Sequence, residues 1–194
     1  MKYAVYIFAF GDKFNLNVQC RVIAGFTLKS CIKFFYPDES PMDKQYIRNS
    51  VLQGLVDPNF PIRNAAGVII SQIVTVGNLE SWPELIPALM NLLKSNDDNY
   101  IITGLSCLSK VMEDDIYAFD SDKVGNPLNE LIPMFLSFFT NNNEEIVFHS
   151  VSCMRFTIDA MPNALLVNMN NYLQVRIVGG KFIIGIIVVI VKSK

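Results

Sequence analysis

The sequence predicts an all-α protein, an α-α superhelix in which helical hairpins stack side by side. Three observations predict it. One stretch of the chain repeats after a fixed shift, apolar residues recur three and four apart within each copy, and turn-forming clusters mark the joints.

The repeat is plainest between Glu84-Leu85-Ile86-Pro87 and Glu130-Leu131-Ile132-Pro133, a shift of 46 residues. The same shift carries Ser106-Cys107 onto Ser152-Cys153 and Ile101 onto Val147. A weaker copy begins at Tyr46-Ile47, and its continuation from Pro61 matches the segment from Tyr100. Periods of about 40–47 residues are those of helical-pair repeats of the HEAT and armadillo type.

Taken in chain order, residues 1–16 stand outside the pattern as a non-repeat segment. Their apolar run from Tyr3 to Phe10 behind Lys2 weakly resembles a signal peptide but has no clean cleavage site before Lys13. Asn17 to Phe35 reads as the second helix of a unit whose first helix is missing. The repeat region of 17–174 continues with units 43–76, 83–112 and 127–160. Their first helices are expected over 43–55, 83–94 and 127–140, and their second helices over 60–76, 98–112 and 144–160.

In the second set, Ile62, Ala66, Ile69, Ile73 and Val76 make one apolar face. Ile101, Leu105, Leu108 and Met112 repeat it, as do Val147, Val151, Met154 and Ile158. Asp57-Pro58-Asn59, Ser95-Asn96-Asp97-Asp98 and Asn141-Asn142-Asn143 supply turns and caps between the two helices of each unit. Pro83 and Pro127 suit a first helical turn. Pro87 and Pro133, one turn further in, should bend their helices or push the helix start past them. A partial unit, 164–174, follows, so the solenoid is expected to be truncated at both ends. Residues 175–194 form a divergent apolar tail. Within it, Phe182 to Val191 is an uncharged run too short for a membrane span, which takes about 20 residues.

Composition narrows the function classes. Half of the residues (51%) are hydrophobic and 18% are charged, which suits helices covered on several sides. A net charge of −2 gives no general attraction for nucleic acid. Cys20, Cys31, Cys107 and Cys153 form no CxxC pair and His149 is the single histidine, so no metal site is expected. Cys107 and Cys153 fall in apolar helical patterns and read as reduced core thiols. No phosphate loop, dinucleotide fingerprint or nucleophile elbow is present, so neither catalytic residues nor a cofactor is expected and the chain reads as a non-enzyme.

The stretch Asn59-Phe60-Pro61-Ile62-Arg63, followed by an apolar helix and then Gly77 through Trp82-Pro83-Glu84-Leu85, resembles the early repeats of the importin-β (karyopherin-β) family. Phe119-Asp120-Ser121-Asp122, Pro127-Leu128-Asn129 and Ile132-Pro133 through Phe138-Phe139 resemble its transportin branch. The resemblance covers residues 20–174. It implies a HEAT-repeat nuclear import receptor of cytoplasm, nucleus and nuclear pore. The amino-terminal repeats of such receptors bind the GTP form of the small GTPase Ran through their inner second helices. Phe-Gly nucleoporins bind between outer helices in this family, and cargo carrying a nuclear localisation sequence binds mainly in later repeats. Another HEAT scaffold, a regulatory or assembly subunit, is the alternative.

Candidate contact residues are the polar positions opposite the apolar stripe, expected on the concave face: Asn64, Ser71, Gln72 and Thr75, then Lys110, then Arg155 and Asp159. Asp57 and Arg63 are expected to form a structural ladder along the loops, with His149 at the same register in its own unit. Glu113, Asp114 and Asp115 are expected in a loop, serving solubility. Phe34-Phe35 and Phe138-Phe139 are expected to fill core.

Overall fold

A computed structural model describes residues 1–160 and 162–166. Among these residues the fold is all α, a HEAT-type solenoid of eight α-helices up to residue 160, with helix again at 163–166. They are α1 (Lys2–Phe10), α2 (Val18–Phe35), α3 (Pro41–Gly54), α4 (Phe60–Gly77), α5 (Leu85–Leu93), α6 (Asp98–Asp115), α7 (Leu128–Phe138) and α8 (Glu144–Ala160). The second helices α2, α4, α6 and α8 pack in succession into one layer, and α1, α3, α5 and α7 pack against them as a second layer.

Local chemistry sets the helix ends. Asn17 caps α2 by accepting the Cys20 N–H, and Ser40 caps α3 by accepting that of Asp43, with Pro41 in the first turn. Asp97 accepts the Asn99 N–H at the start of α6. Pro87 lies in the first turn of α5, whereas Pro133 sits inside α7. The helix α4 is long and apolar enough to cross a membrane by length and composition. Here it stands between α2 and α6, and Ile62, Ala66, Ile69, Ile70 and Ile73 are buried against its neighbours.

Three expectations are corrected. Helix α2 does have a first-helix partner, because residues 2–10 form α1 and pack on α2 and α3. Val5 and Phe8, three apart, are fully buried, while Tyr3, Tyr6 and Ile7 are exposed. A helix apolar on every side shows no amphipathic period, so its buried face is invisible in sequence. Next, Phe34 and Phe35 do not fill core: they are 66% and 60% exposed and stand edge to face. Phe138 and Phe139, by contrast, pack half-buried against the core. Last, Glu113, Asp114 and Asp115 form the final turn of α6 and not a loop. Of the partial unit expected at 164–174, residues 164–166 are helical and the remainder, like the apolar tail 175–194, lies outside the described residues.

Candidate functional site

The exposed side of the second-helix layer carries two adjoining hollows. The first, of about 220 Å³, is lined from three successive second helices: Arg63 and Asn64 on α4, Thr103, Ser106 and Lys110 on α6, and His149 on α8. Gly67, Ile102 and Cys107 give it an apolar floor, and the exposed Phe60 an apolar edge. The second, of about 260 Å³, lies along Ser71, Gln72 and Thr75 of α4, Lys110, Glu113 and Asp114 of α6, and Lys29 of α2. Lys110 borders both.

Hydrogen bonds tie α4 to α6 along this strip. The Asp114 carboxylate accepts from the hydroxyls of Ser71 and Thr75, the latter at 3.1 Å. A carboxylate in the last turn of a helix opposes the helix dipole, and these two donors offset that cost. Lys110 Nζ donates to the Ser106 hydroxyl at 2.6 Å and to the Ser106 carbonyl at 3.2 Å. Burial pushes the Lys110 ammonium below its ordinary pKa. His149 is likewise held below its usual value, first by burial and then by the positive charge of Lys110.

Five of the seven expected contact residues therefore come together. Asn64 opens onto the first hollow, Ser71, Gln72 and Thr75 onto the second, and Lys110 onto both. Arg155 and Asp159 stand apart, exposed on α8 and 3.9 Å from each other in a same-helix pair. Sequence reasoning missed Ser106 and Lys29, and it reached Thr103 only as the position equivalent to Arg63 and His149 in the joint ladder, not as a lining residue.

Asp57 and Arg63 do not pair charge to charge. The Asp57 carboxylate meets Arg21, and Arg63 donates to the backbone carbonyls of Asp57 and Pro58, at 2.9 and 3.0 Å. Arg63 then reaches forward to the Thr103 hydroxyl at 3.1 Å and to Asn99 Oδ1 at 3.5 Å. Further along, Asn143 Nδ2 donates to Asp98 at 2.8 Å. Each joint is thus tied to the next unit, partly by neutral partners. Arg21, the missing member, follows its cap Asn17 by four residues just as Arg63 follows Asn59.

The other helix layer has its own hollow, about 250 Å³, between the start of α5 and the approach to α7. Trp82, Pro83, Ile86, Pro87 and Met90 line one side, and Val124 and Pro127 the other. Acidic side chains beyond α6 are already engaged: Asp120 reaches across a full repeat to accept backbone N–H groups of Asn163 and Ala164, and Asp122 accepts from Asn126 nearby. Among the described residues no group of His, Cys, Asp and Glu side chains converges as a metal would require. Cys107 is buried and its thiol is pushed up to about 12, which keeps it protonated and unreactive. Cys153 is shifted in the same direction by the same cause.

Known proteins with similar sequences align with most of this chain. A transportin of Dictyostelium discoideum is 36% identical over 161 residues, which is 82% of this chain and 17% of that protein. Human transportin-1 is 31% identical over 154 residues, 79% of this chain and 17% of its own length. An importin subunit beta-2 of Schizosaccharomyces pombe is 27% identical over 163 residues, 82% of this chain and 18% of its own length. No family model matches the chain. The chain therefore spans under two thirds, in fact 17–18%, of the length of these relatives. A HEAT-type stack of helices, with matches of 31–36% identity over about four fifths of the chain, makes this chain a relative of the transportins within the importin-β family.

Proposed function

We propose that the chain is a protein-binding scaffold and not an enzyme, and that it serves as part of a nuclear import receptor moving between cytoplasm and nucleus. The observation that carries this reading is the polar strip across α4 and α6. Asn64, Ser71, Gln72, Thr75 and Lys110 face outward together from helices whose opposite sides are buried. A rigid polar surface spread over several helices suits a folded protein partner better than a small substrate.

In this reading the partner is Ran in its GTP form, met by those five residues and, further along, by Arg155 and Asp159. Asp57 and Arg63 serve as structural ties between units 43–76 and 83–112 and make no contact with the partner. Phe-Gly nucleoporin segments take the apolar hollow beside Trp82 and Pro127 during passage through the pore. Cargo bearing a nuclear localisation sequence engages mainly repeats beyond this chain. Relation to transportins supports the import-receptor role, and the hollows support the choice of contact residues.

The test is retention on immobilised Ran. GTP-locked Ran should hold the chain, GDP-bound Ran should not, and Asp114→Ala should weaken retention by removing the anchor of Ser71 and Thr75. Equal retention by both nucleotide states, or none by either, would defeat the Ran assignment. It would favour a HEAT scaffold of another kind, a regulatory or assembly subunit.

A further inference from the structure

The first hollow is lined by basic groups of one sign. Arg63 is buried, at 7% exposure, yet all of its hydrogen bonds go to neutral acceptors: two backbone carbonyls, the Thr103 hydroxyl and the Asn99 amide oxygen. Half-buried Lys110 bonds only to Ser106. Among the described residues no carboxylate lies within ion-pairing distance of either cation. Glu113, one turn along α6, attracts Lys110 but lines the other hollow. His149 on the facing helix has only Glu145, 4.0 Å away along its own helix.

Cations taken out of water without a counter-charge are costly, and the reduced dielectric around them strengthens their pull on any anion that enters. We propose that this hollow is a binding site for one acidic side chain presented by a peptide segment of a protein partner. Arg63 supplies a fixed positive field from below, Lys110 the direct charge partner, and Asn64 and Ser106 neutral hydrogen bonds at the mouth. The apolar floor of Gly67, Ile102 and Cys107, with Phe60 at its edge, accepts the methylene groups of a glutamate, which a bare phosphate would leave uncovered. Glu113 and Asp114 next door repel a run of acids, so the site selects a single acid among neutral neighbours. The site does not depend on which protein presents the acid, and its test uses no Ran.

The single histidine of the chain is a reporter built into the wall. Proton NMR of the His149 imidazole is followed in the full chain at constant ionic strength. The additions are N-acetylglutamate N-methylamide, its glutamine counterpart, or inorganic phosphate. The glutamate compound should shift the resonance saturably and the glutamine compound should bind at least about tenfold more weakly. Lys110→Gln should weaken the glutamate response by roughly tenfold. Tighter binding of phosphate than of the glutamate compound would overturn the peptide assignment. No saturable shift, or equal responses to the two amino-acid compounds, would overturn the site itself. Circular dichroism checks the variant; if Lys110→Gln does not fold, the contrast between the two compounds on the unaltered chain decides.

Discussion

Arg21 Nη2 lies 2.5 Å from Asp57 Oδ2, and the pair joins the first turn of α2 to the loop before α4. Both side chains are almost withdrawn from water, at 3% and 9% exposure. Arg21 also donates from Nε to the Phe8 carbonyl at 3.1 Å, so one guanidinium ties α1, α2 and the loop after α3. Removing one partner of such a pair leaves a buried charge uncompensated. Asp57→Ala should therefore lower stability by about 3 kcal/mol, read from the urea midpoint. Replacing both residues by apolar ones of similar volume should cost less than Asp57→Ala alone.

Phe8 fills a notch made by two glycines. A Cβ on Gly25 would stand 2.9 Å from the Phe8 ring, and one on Gly54 likewise 2.9 Å from it. Gly25→Ala gains about 1 kcal/mol of helix propensity, but against a ring held on both sides an overpacking cost of about 1–3 kcal/mol outweighs that gain. The variant should be destabilised, and less so when Phe8→Leu is introduced with it. Additive effects in the double-mutant cycle would mean that the ring and the glycine do not meet. Phe8→Ala alone should cost about 3 kcal/mol by emptying the notch.

The second helices were legible because each has one buried side: Ile62, Ala66, Ile69 and Ile73 announce α4 by spacing alone. Helix α1 was not, since Tyr3, Tyr6 and Ile7 are as apolar as the buried Val5 and Phe8. The polar strip was legible as a set of positions on α4 and α6, and the fold brings those positions to shared hollows. Its contacts were not legible. Whether Asp114 meets Ser71 depends on the rotation of α6 against α4, 43 residues apart, which no local pattern encodes. The same holds for Arg21 and Asp57, 36 residues apart. Arg155 and Asp159 show the opposite limit: a four-residue spacing lets the two satisfy one another on their own helix.

Arg48 clamps α3 onto the link between α4 and α5. Its Nε donates to the Tyr36 hydroxyl at 2.7 Å, and its remaining nitrogens reach the Ser81 carbonyl and the Ser81 hydroxyl. The guanidinium also lies 5.6 Å from the centre of the Trp82 ring. Arg48→Ala should cost about 1–3 kcal/mol, the range for losing charged hydrogen bonds and a cation–π contact. Trp82 is the single tryptophan and is fully buried, so its emission should move to the red as water enters. Unchanged emission together with unchanged stability would remove Arg48 from this role.

His149 gives the fold a pH dependence whose sign can be worked out. Burial, followed by the charge of Lys110, lowers its pKa in the folded chain below the ordinary 6.5, and Glu145 opposes this only in part. As pH falls through 6.5 the unfolded chain takes up a proton that the folded chain still refuses. Unfolding is thereby favoured until the folded imidazole titrates as well. The contribution of His149 to stability is thus complete above the ordinary value, is lost as pH falls toward the lowered one, and changes no further below it. Replacing His149 by Gln should flatten the stability profile across that interval while leaving the slope at lower pH, set by carboxylates, in place. Urea unfolding of both chains at closely spaced pH values measures this. A steeper decline in the His149→Gln chain would mean that the folded state binds the imidazolium more tightly than water does.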